Sequence, residues 1–187
     1  MNTQWLRLQS IPPEGLVKRY DSKELWASIF DEFNIACSVV DELVATVEIL
    51  PQSDGILFKG SLSGNVAMPC DRCTEEGHFV LNEKFSGFEV YPDEDPSGAE
   101  SAEDALLAES DEAVIRPAVK GNGLEINPLA YAWQELSLAL PVKPLCRSNC
   151  KGLCPTCGCN YNTDTCDCEQ DLGDSRLADL RNIRISR

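Results

Sequence analysis

Hydrophobic and polar residues alternate through much of the first half of the chain, where Val, Ile and Phe are frequent. A period of two predicts half-buried β-strands, and the pattern places them at Leu43–Leu50, Ile56–Ala67 and His78–Val90. Turn-forming residues at Pro51–Gly55 and Glu75–Gly77 separate these segments. We therefore expect three or more antiparallel strands, arranged as an antiparallel β-sheet or a partly closed barrel.

A helical period replaces the alternation in residues 20–33. Leu25, Ile29 and Phe33 recur four apart, and Trp26 and Phe30 follow one position on. Asp21 and Glu24 have the spacing of a capping box, with Asp in place of Ser or Thr. These features predict a short helix that faces the core.

A second helix is predicted at residues 127–141. Asn127 caps it, Pro128 suits its first turn, and Pro141 ends it. Its apolar stripe consists of Leu129, Trp133, Leu136 and Leu140. Trp133 is therefore interpreted as a core residue rather than as part of a site.

Together these elements predict an α+β fold with a few helices over residues 1–140. Within that domain, nine of the twenty residues from Asp93 to Glu112 are acidic, and none is basic or aromatic. Such a composition predicts a solvated, disordered loop that serves as a linker, with an acidic interaction arm as the alternative. Residues 141–187 form a second unit, a cysteine-rich module followed by a short basic helix and tail.

Charge and composition narrow the range of partners. The 187 residues carry 31 acids and 16 bases, which gives a net charge of −15. Such a field repels nucleic acids and anionic membranes, so any RNA contact would need a local basic patch. We find no apolar run of membrane-spanning length and no signal peptide, and we expect a cytoplasmic protein whose thiols stay reduced.

Ten cysteines are the strongest chemical feature of the chain. Cys154–Cys157 and Cys70–Cys73 are C-x-x-C pairs, a spacing that lets a tight turn present two sulfurs to one ion. Gly158 supplies the flexible backbone that such turns use. The predicted ligands of a C-terminal zinc knuckle, with Zn²⁺ as the cofactor, are Cys70, Cys73, Cys146, Cys150, Cys154, Cys157, Cys166 and Cys168.

Zinc is favoured over three alternatives. A disulfide framework would need an exported protein, a thioredoxin-like pair would need a strand-to-helix position, and the spacings do not match ferredoxin iron–sulfur runs.

The grouping of the cysteines stays open. Cys146, Cys150, Cys154 and Cys157 could form one site, Cys154 and Cys157 could join Cys70 and Cys73, and two ions could bind. His78 is interpreted as a surface strand residue and Cys37 as a buried one.

Nothing in the chain indicates catalysis. Catalytic zinc usually has histidine or carboxylate ligands and an open position, whereas all-cysteine sites are mostly structural. No glycine-rich phosphate loop and no nucleophile elbow are present. We therefore expect a protein that is not an enzyme and takes no small-molecule substrate.

Several of these motifs resemble the YceD family, the large ribosomal RNA subunit accumulation proteins. The matching stretches are "MPCDRCTEE", "INPLAYAWQELSLALP", "CKGLCPTCGCNYN" and the closing "CDCEQDLGDSRLADL". The resemblance covers about residues 39–180, and Ser175 stands where the family's ending has proline.

The resemblance implies a non-enzymatic ribosome-biogenesis factor that supports accumulation of 23S ribosomal RNA. Its implied partners are 23S precursor RNA, a large-subunit ribosomal protein, or both, and a protein-only interaction module or chaperone for a basic ribosomal protein is the alternative. A bacterium such as a cyanobacterium, or a shortened plastid chain, is the implied source. Candidate RNA-binding residues are Lys143, Arg147, Lys151, Arg176, Arg181, Arg184 and Arg187.

Overall fold

The computed structural model describes residues 5–92, 113–119 and 122–168. Two helices, seven strands and one turn of 3₁₀ helix occur in these ranges. In chain order they are β1 (Leu6–Arg7), the 3₁₀ turn (Leu8–Ser10), β2 (Leu16–Tyr20), α1 (Lys23–Glu32), β3 (Ser38–Pro51), β4 (Gly55–Pro69), β5 (Glu76–Val90), β6 (Ile115–Pro117), β7 (Leu124–Ile126) and α2 (Pro128–Ala139). The predicted acidic loop at 93–112 and the predicted C-terminal helix lie outside the described residues.

The strands form two antiparallel sheets, which confirms the α+β fold class. The larger sheet has the order β2-β3-β4-β5 and the smaller one the order β1-β7-β6. Within the described ranges neither order closes on itself, so both sheets are open and no fully closed barrel forms. Strands β3, β4 and β5 run for 14 or 15 residues each, longer than the alternation predicted.

The predicted reversal at Pro51–Gly55 is confirmed, because Gln52 N–H donates to Gly55 O at 2.8 Å between β3 and β4. The second predicted turn, Glu75–Gly77, is misplaced: β5 already begins at Glu76, and residues 70–75 make the reversal. Residues 70–73, the cysteine pair that stands between the last two predicted strands, form that turn.

Helix α1 buries Trp26, Ile29 and Phe30 against β3, as its period predicted. The Trp26 indole N–H donates to Leu43 O at 2.9 Å, which satisfies its polar atom inside the core. The cap differs from the prediction: Ser22 accepts from Leu25 N–H, while Asp21 pairs with Arg19 at 2.9 Å. Arg19 of β2 therefore forms an ion pair with Asp21, and Ser22 is the N-cap of the helix.

Helix α2 lies across β3 and β5 and joins the same core as α1. The Asn127 side chain accepts from Ala130 N–H, so the predicted cap is confirmed. Tyr131 stacks on Phe58 with ring centroids 4.3 Å apart, and Trp133 stacks on Phe33 at 4.7 Å. Trp133 is a core residue, as predicted.

Candidate metal centre

The first cysteine pair forms the tip of the β4–β5 hairpin. Cys70 N–H donates to Glu75 O at 2.8 Å, and Thr74 N–H donates to Cys70 O at 2.9 Å. Thr74 has a φ of 61°, in the left-handed region that few side-chain-bearing residues adopt. The chain thereby turns tightly enough to place the Cys70 and Cys73 thiols on the same side.

The second pair repeats this geometry. Cys154 N–H donates to Cys159 O at 2.8 Å, and Gly158 N–H donates to Cys154 O at 2.9 Å. Gly158 has a φ of 75° and open space where a Cβ would lie, so its backbone conformation explains the glycine. Two segments far apart in sequence therefore form the same metal-knuckle turn.

Backbone contacts bring Cys146 and Cys150 to the first pair. Asp71 N–H donates to Pro144 O at 2.8 Å, which docks the segment after α2 onto the hairpin tip. A Cβ on Gly77 would lie 3.0 Å from the Cα of Cys146, so the absence of a side chain there permits the close approach.

These contacts assemble a four-cysteine group, here called cluster 1, from Cys70, Cys73, Cys146 and Cys150. Its sulfurs all lie within 4.8 Å of one another. Cys70 Sγ is 3.8 Å from Cys150 Sγ, and Cys73 Sγ is 3.5 Å from Cys146 Sγ. Disulfide sulfurs are about 2.05 Å apart, whereas a tetrahedron with metal–sulfur bonds of about 2.3 Å separates them by about 3.8 Å. The spacing fits four thiolates around one ion.

A second group, cluster 2, consists of Cys154, Cys157, Cys159 and Cys166, whose sulfurs also lie within 4.8 Å of one another. Cys154 is buried, whereas Cys157 is exposed. The thiol of Cys168 is close by and hydrogen-bonds with Cys157. This hydrogen bond, followed by burial, raises the pKa of Cys168 to about 12. Two groups of cysteines can therefore each hold a metal ion.

The electrostatics of the sulfurs fit a cation. Burial alone would raise the pKa of the Cys70 thiol, but backbone N–H groups, including those of Cys146 and Arg72, lower it to about 6. In cluster 2, hydrogen bonds from the Tyr161 hydroxyl and from backbone N–H groups lower the pKa of Cys154 to about 5. Such N–H and O–H donors are typical of the surroundings of metal-bound thiolates.

Two other thiols of the clusters, Cys73 and Cys159, ionise less easily. Burial, with the neighbouring thiols, raises the pKa of Cys73 to about 12, although it lies beside Cys70. Burial and hydrogen bonding with Cys166 and Cys157 likewise raise the pKa of Cys159 to about 12. Like charges this close disfavour one another, so four thiolates can coexist only around a cation that neutralises them.

Comparison with known protein families gives a match that covers both cysteine clusters. The model of the family described as "Large ribosomal RNA subunit accumulation protein YceD" matches residues 58–184, which is more than half of the chain. The chain belongs to the YceD family. That match includes both cysteine pairs and helix α2.

Curated YceD relatives are distant. The chain is 24% identical over 159 residues to "Large ribosomal RNA subunit accumulation protein YCED homolog 1, chloroplastic" of Arabidopsis thaliana, covering 74% of the chain and 47% of that relative. The homolog 1 protein of Zea mays is 24% identical over 145 residues, covering 68% and 48%. An uncharacterized protein of Mycobacterium tuberculosis is 28% identical over 108 residues, covering 57% and 45%. The chain spans about half the length of these relatives, and no solved structure matches it.

The clusters of this YceD family member differ from both groupings considered from the sequence. Cys146 and Cys150 join Cys70 and Cys73, while Cys154 and Cys157 join residues that follow them. Backbone docking at Pro144 decides this arrangement, and sequence spacing alone does not encode it. Cys159, which was not among the predicted ligands, belongs to cluster 2, and the predicted ligand Cys168 lies beside that cluster. The C-x-C spacing of Cys157 and Cys159, which recurs at Cys166 and Cys168, was the available signal.

The other residues singled out from the sequence do not belong to the clusters. His78 is exposed on β5, with Nε2 3.3 Å from a carboxylate oxygen of Glu76, as expected for a surface strand residue. Cys37 is half-buried beside the helix–sheet core, and burial raises its pKa to about 11. Lys143, Arg147 and Lys151 are exposed around cluster 1, while Arg176, Arg181, Arg184 and Arg187 lie outside the described residues.

No helix within residues 5–92, 113–119 and 122–168 is long and apolar enough to cross a membrane.

Proposed function

We propose that this protein is a non-enzymatic ribosome-biogenesis factor that supports accumulation of 23S ribosomal RNA, with zinc ions in both cysteine clusters stabilising its RNA-contacting module. The observation that carries the proposal is the YceD family match over residues 58–184. Relatives whose names describe large ribosomal RNA subunit accumulation in two plants support it.

Zinc fits the donor set best. Four cysteine ligands in a tetrahedral arrangement are typical of structural zinc, and soft thiolates select zinc over harder cations. In cluster 1, Cys70, Cys73 and Cys150 are each 2% exposed, so a bound ion would be enclosed by its protein ligands. This enclosure supports a structural role for the ion and not a catalytic one.

A segment beside cluster 1 that carries bases and no acid supports direct RNA contact. Residues 141–163 contain no acid, although the whole chain has 31. Arg147 and Lys151 directly follow the cluster cysteines Cys146 and Cys150, so zinc would hold their backbone positions. Arg72 joins them, since its guanidinium Nη1 donates to Cys150 O at 2.9 Å. Exposed cations on a rigid turn can contact RNA phosphates despite the net charge of the molecule.

The test compares two charge reversals of equal size. Arg147→Glu with Lys151→Glu should weaken binding of the zinc-loaded protein to 23S precursor fragments. It should also flatten the slope of log affinity against log salt by about 0.7 to 0.9 for each lost phosphate contact. Lys59→Glu with Lys84→Glu changes the charge equally on exposed sheet positions and should leave the slope unchanged. Equal effects of both reversals would show that RNA responds only to net charge.

Net charge favours one second candidate, a chaperone for a basic large-subunit ribosomal protein. A chain with a charge of −15 attracts basic partners over its whole surface. In that case the reversal at Arg147 and Lys151 would leave capture of the ribosomal protein unchanged or strengthen it. A pulldown from growing cells, with both RNA and protein identified, separates the two functions.

A further inference from the structure

The two clusters share one short connection. Only Lys151, Gly152 and Leu153 separate Cys150 of cluster 1 from Cys154 of cluster 2. Leu153 N–H donates to Arg72 O at 3.0 Å, so the connection is fixed to the hairpin tip. Gly152 has a φ of 80°, and a Cβ there would lie 3.1 Å from the same carbonyl. The connection is therefore tightly held and has little freedom to move independently of either cluster.

The loop between Cys159 and Cys166 folds back onto this connection. Leu153 and Asn160 form an antiparallel bridge, and Tyr161 N–H donates to Gly152 O at 3.0 Å. Both ends of the loop are cluster 2 cysteines. Metal binding at cluster 2 would therefore restrict the conformations of the loop and hold it against the connection.

Two adjacent residues of that loop face different clusters. The Tyr161 hydroxyl accepts from Cys166 Sγ at 3.6 Å and hydrogen-bonds with Cys154, both in cluster 2. Asn162 Nδ2 instead donates to Cys150 Sγ, in cluster 1, at 3.3 Å. A single dipeptide thus contacts sulfurs of both groups.

The side chain of Asn162 is held in this position by its remaining polar contacts. Its Oδ1 accepts from Lys151 N–H at 2.9 Å, and its Nδ2 also donates to Asn160 Oδ1 at 2.8 Å. Asn160 Oδ1 further accepts from the backbone N–H of Asn162 at 3.0 Å. The folded loop therefore orients the amide, and its N–H points at the Cys150 sulfur, which must carry negative charge to bind metal.

We propose that Asn162 couples the two metal sites, so that zinc at cluster 2 raises the affinity of cluster 1 for zinc, and the reverse. The inference rests on the proposed zinc occupancy of both clusters. An N–H donor stabilises a thiolate, and Asn162 is in place only when the loop between Cys159 and Cys166 is ordered. Coupling between two binding sites is reciprocal by thermodynamic necessity.

A thermodynamic cycle on the full chain tests the coupling, with Zn²⁺ as the probe and a competing chelator as the reporter. Cys154→Ser with Cys157→Ser disables cluster 2 and gives the affinity of cluster 1 alone. Cys70→Ser with Cys73→Ser gives the affinity of cluster 2 alone. The overall two-ion affinity of the parent, divided by the product of these single affinities, is the coupling factor. We expect a coupling factor on the order of 10, the scale of the effect of an outer hydrogen bond on metal affinity.

The same cycle is then repeated with Asn162→Ala and with Asn162→Asp, which keeps an oxygen to accept from Lys151 N–H. Both variants should bring the coupling factor close to one. Thr163→Ala is the matched control, since the contacts of this exposed neighbour within the described residues are with Asn160 O and Asp164 and include no sulfur. It should leave the coupling factor as in the parent.

Three results would overturn the inference. A coupling factor near one in the parent would mean that the clusters load independently, although zinc occupies both. If both Asn162 variants keep the coupling factor of the parent, the coupling is carried by the backbone of residues 151–153 and not by Asn162. If the parent protein binds no stoichiometric zinc, both the proposed zinc occupancy and the coupling are wrong. Failure of the occupancy is therefore distinguishable from failure of the coupling alone.

Discussion

At the scale of single residues, the environment of each thiol separates structural cysteines from candidate ligands. Cys150 lies in cluster 1 within 3.8 Å of another sulfur and accepts a hydrogen bond from Asn162. Cys37 packs at the edge of the helix–sheet core, where burial raises its pKa to about 11. Among the described residues Cys37 belongs to neither cysteine cluster, so it lacks the neighbouring thiols that a four-cysteine site needs, even though it is as free of disulfides as Cys150.

This contrast gives a paired prediction. Cys150→Ser should lower the zinc content of the purified protein from about two ions to about one per chain, since a tetrahedral site loses one of four ligands. Cys37→Ser should leave the zinc content unchanged. Elemental analysis against protein concentration measures both. A parent protein with no zinc and ten titratable thiols would contradict the metal interpretation.

The sequence indicated the chemistry of these residues better than their grouping. The C-x-x-C spacing of Cys70–Cys73 and Cys154–Cys157 encodes a local turn, because its hydrogen bonds lie within six residues. Which further cysteines complete cluster 1 depends on the contact of Asp71 with Pro144, more than seventy residues apart. No local pattern reports a contact of that kind. The role of Asn162 toward Cys150 was hidden because it depends on how the loop after Cys159 folds back.

At the scale of elements, α2 closes the core and carries the chain toward the clusters. Leu136 of this helix is fully buried, whereas Leu138, two positions on, is 81% exposed. Tyr131 seats the helix between Phe58 and Phe85, and its hydroxyl lies where a Cβ on Gly87 would be. The second half of the helix therefore has one buried side and one solvated side, so the two leucines offer a matched comparison.

Leu136→Ala should lower the free energy of unfolding by about 2 to 5 kcal/mol, because it removes buried side-chain volume and leaves a cavity. Leu138→Ala should change it by no more than about 0.5 kcal/mol, as for most surface substitutions. Urea denaturation of the zinc-loaded protein, followed by tryptophan fluorescence, measures both changes. Equal losses would mean that Leu138 is covered in solution.

Element types were predictable where the apolar period was long. The stripe of α2 and the alternation of β5 are both sustained, and each predicted element exists. Strands β1, β6 and β7 have only two or three residues, too few to show a period, and they form through pairing with distant segments. Strand β2 pairs with β3 along five residues, although helix α1 separates the two strands in the sequence. These four strands were therefore missed.

At the scale of the whole molecule, most buried apolar residues of the described ranges belong to one of two groups. The larger group includes Trp26, Phe58 and Leu136 and spans both helices and the large sheet. The smaller consists of Cys70, Cys73 and Cys150, with Leu145, Cys146 and Leu153 packed against them. Apolar burial alone can hold the first group together. The second has only a few small side chains and depends on its sulfurs being held together.

Chelation should therefore act on one part of the molecule. Removing zinc from the reduced protein should raise amide hydrogen exchange across residues 141–168, because unmetallated thiolates repel one another and few apolar contacts remain. Strands β3 and β4 should keep their protection, since their hydrogen bonds lie within the larger core. Re-addition of zinc to the reduced protein should restore the original pattern. Loss of protection across β3 and β4 as well would show that the clusters hold the entire fold, and a pattern unchanged by chelation would show that the cysteine module folds without metal.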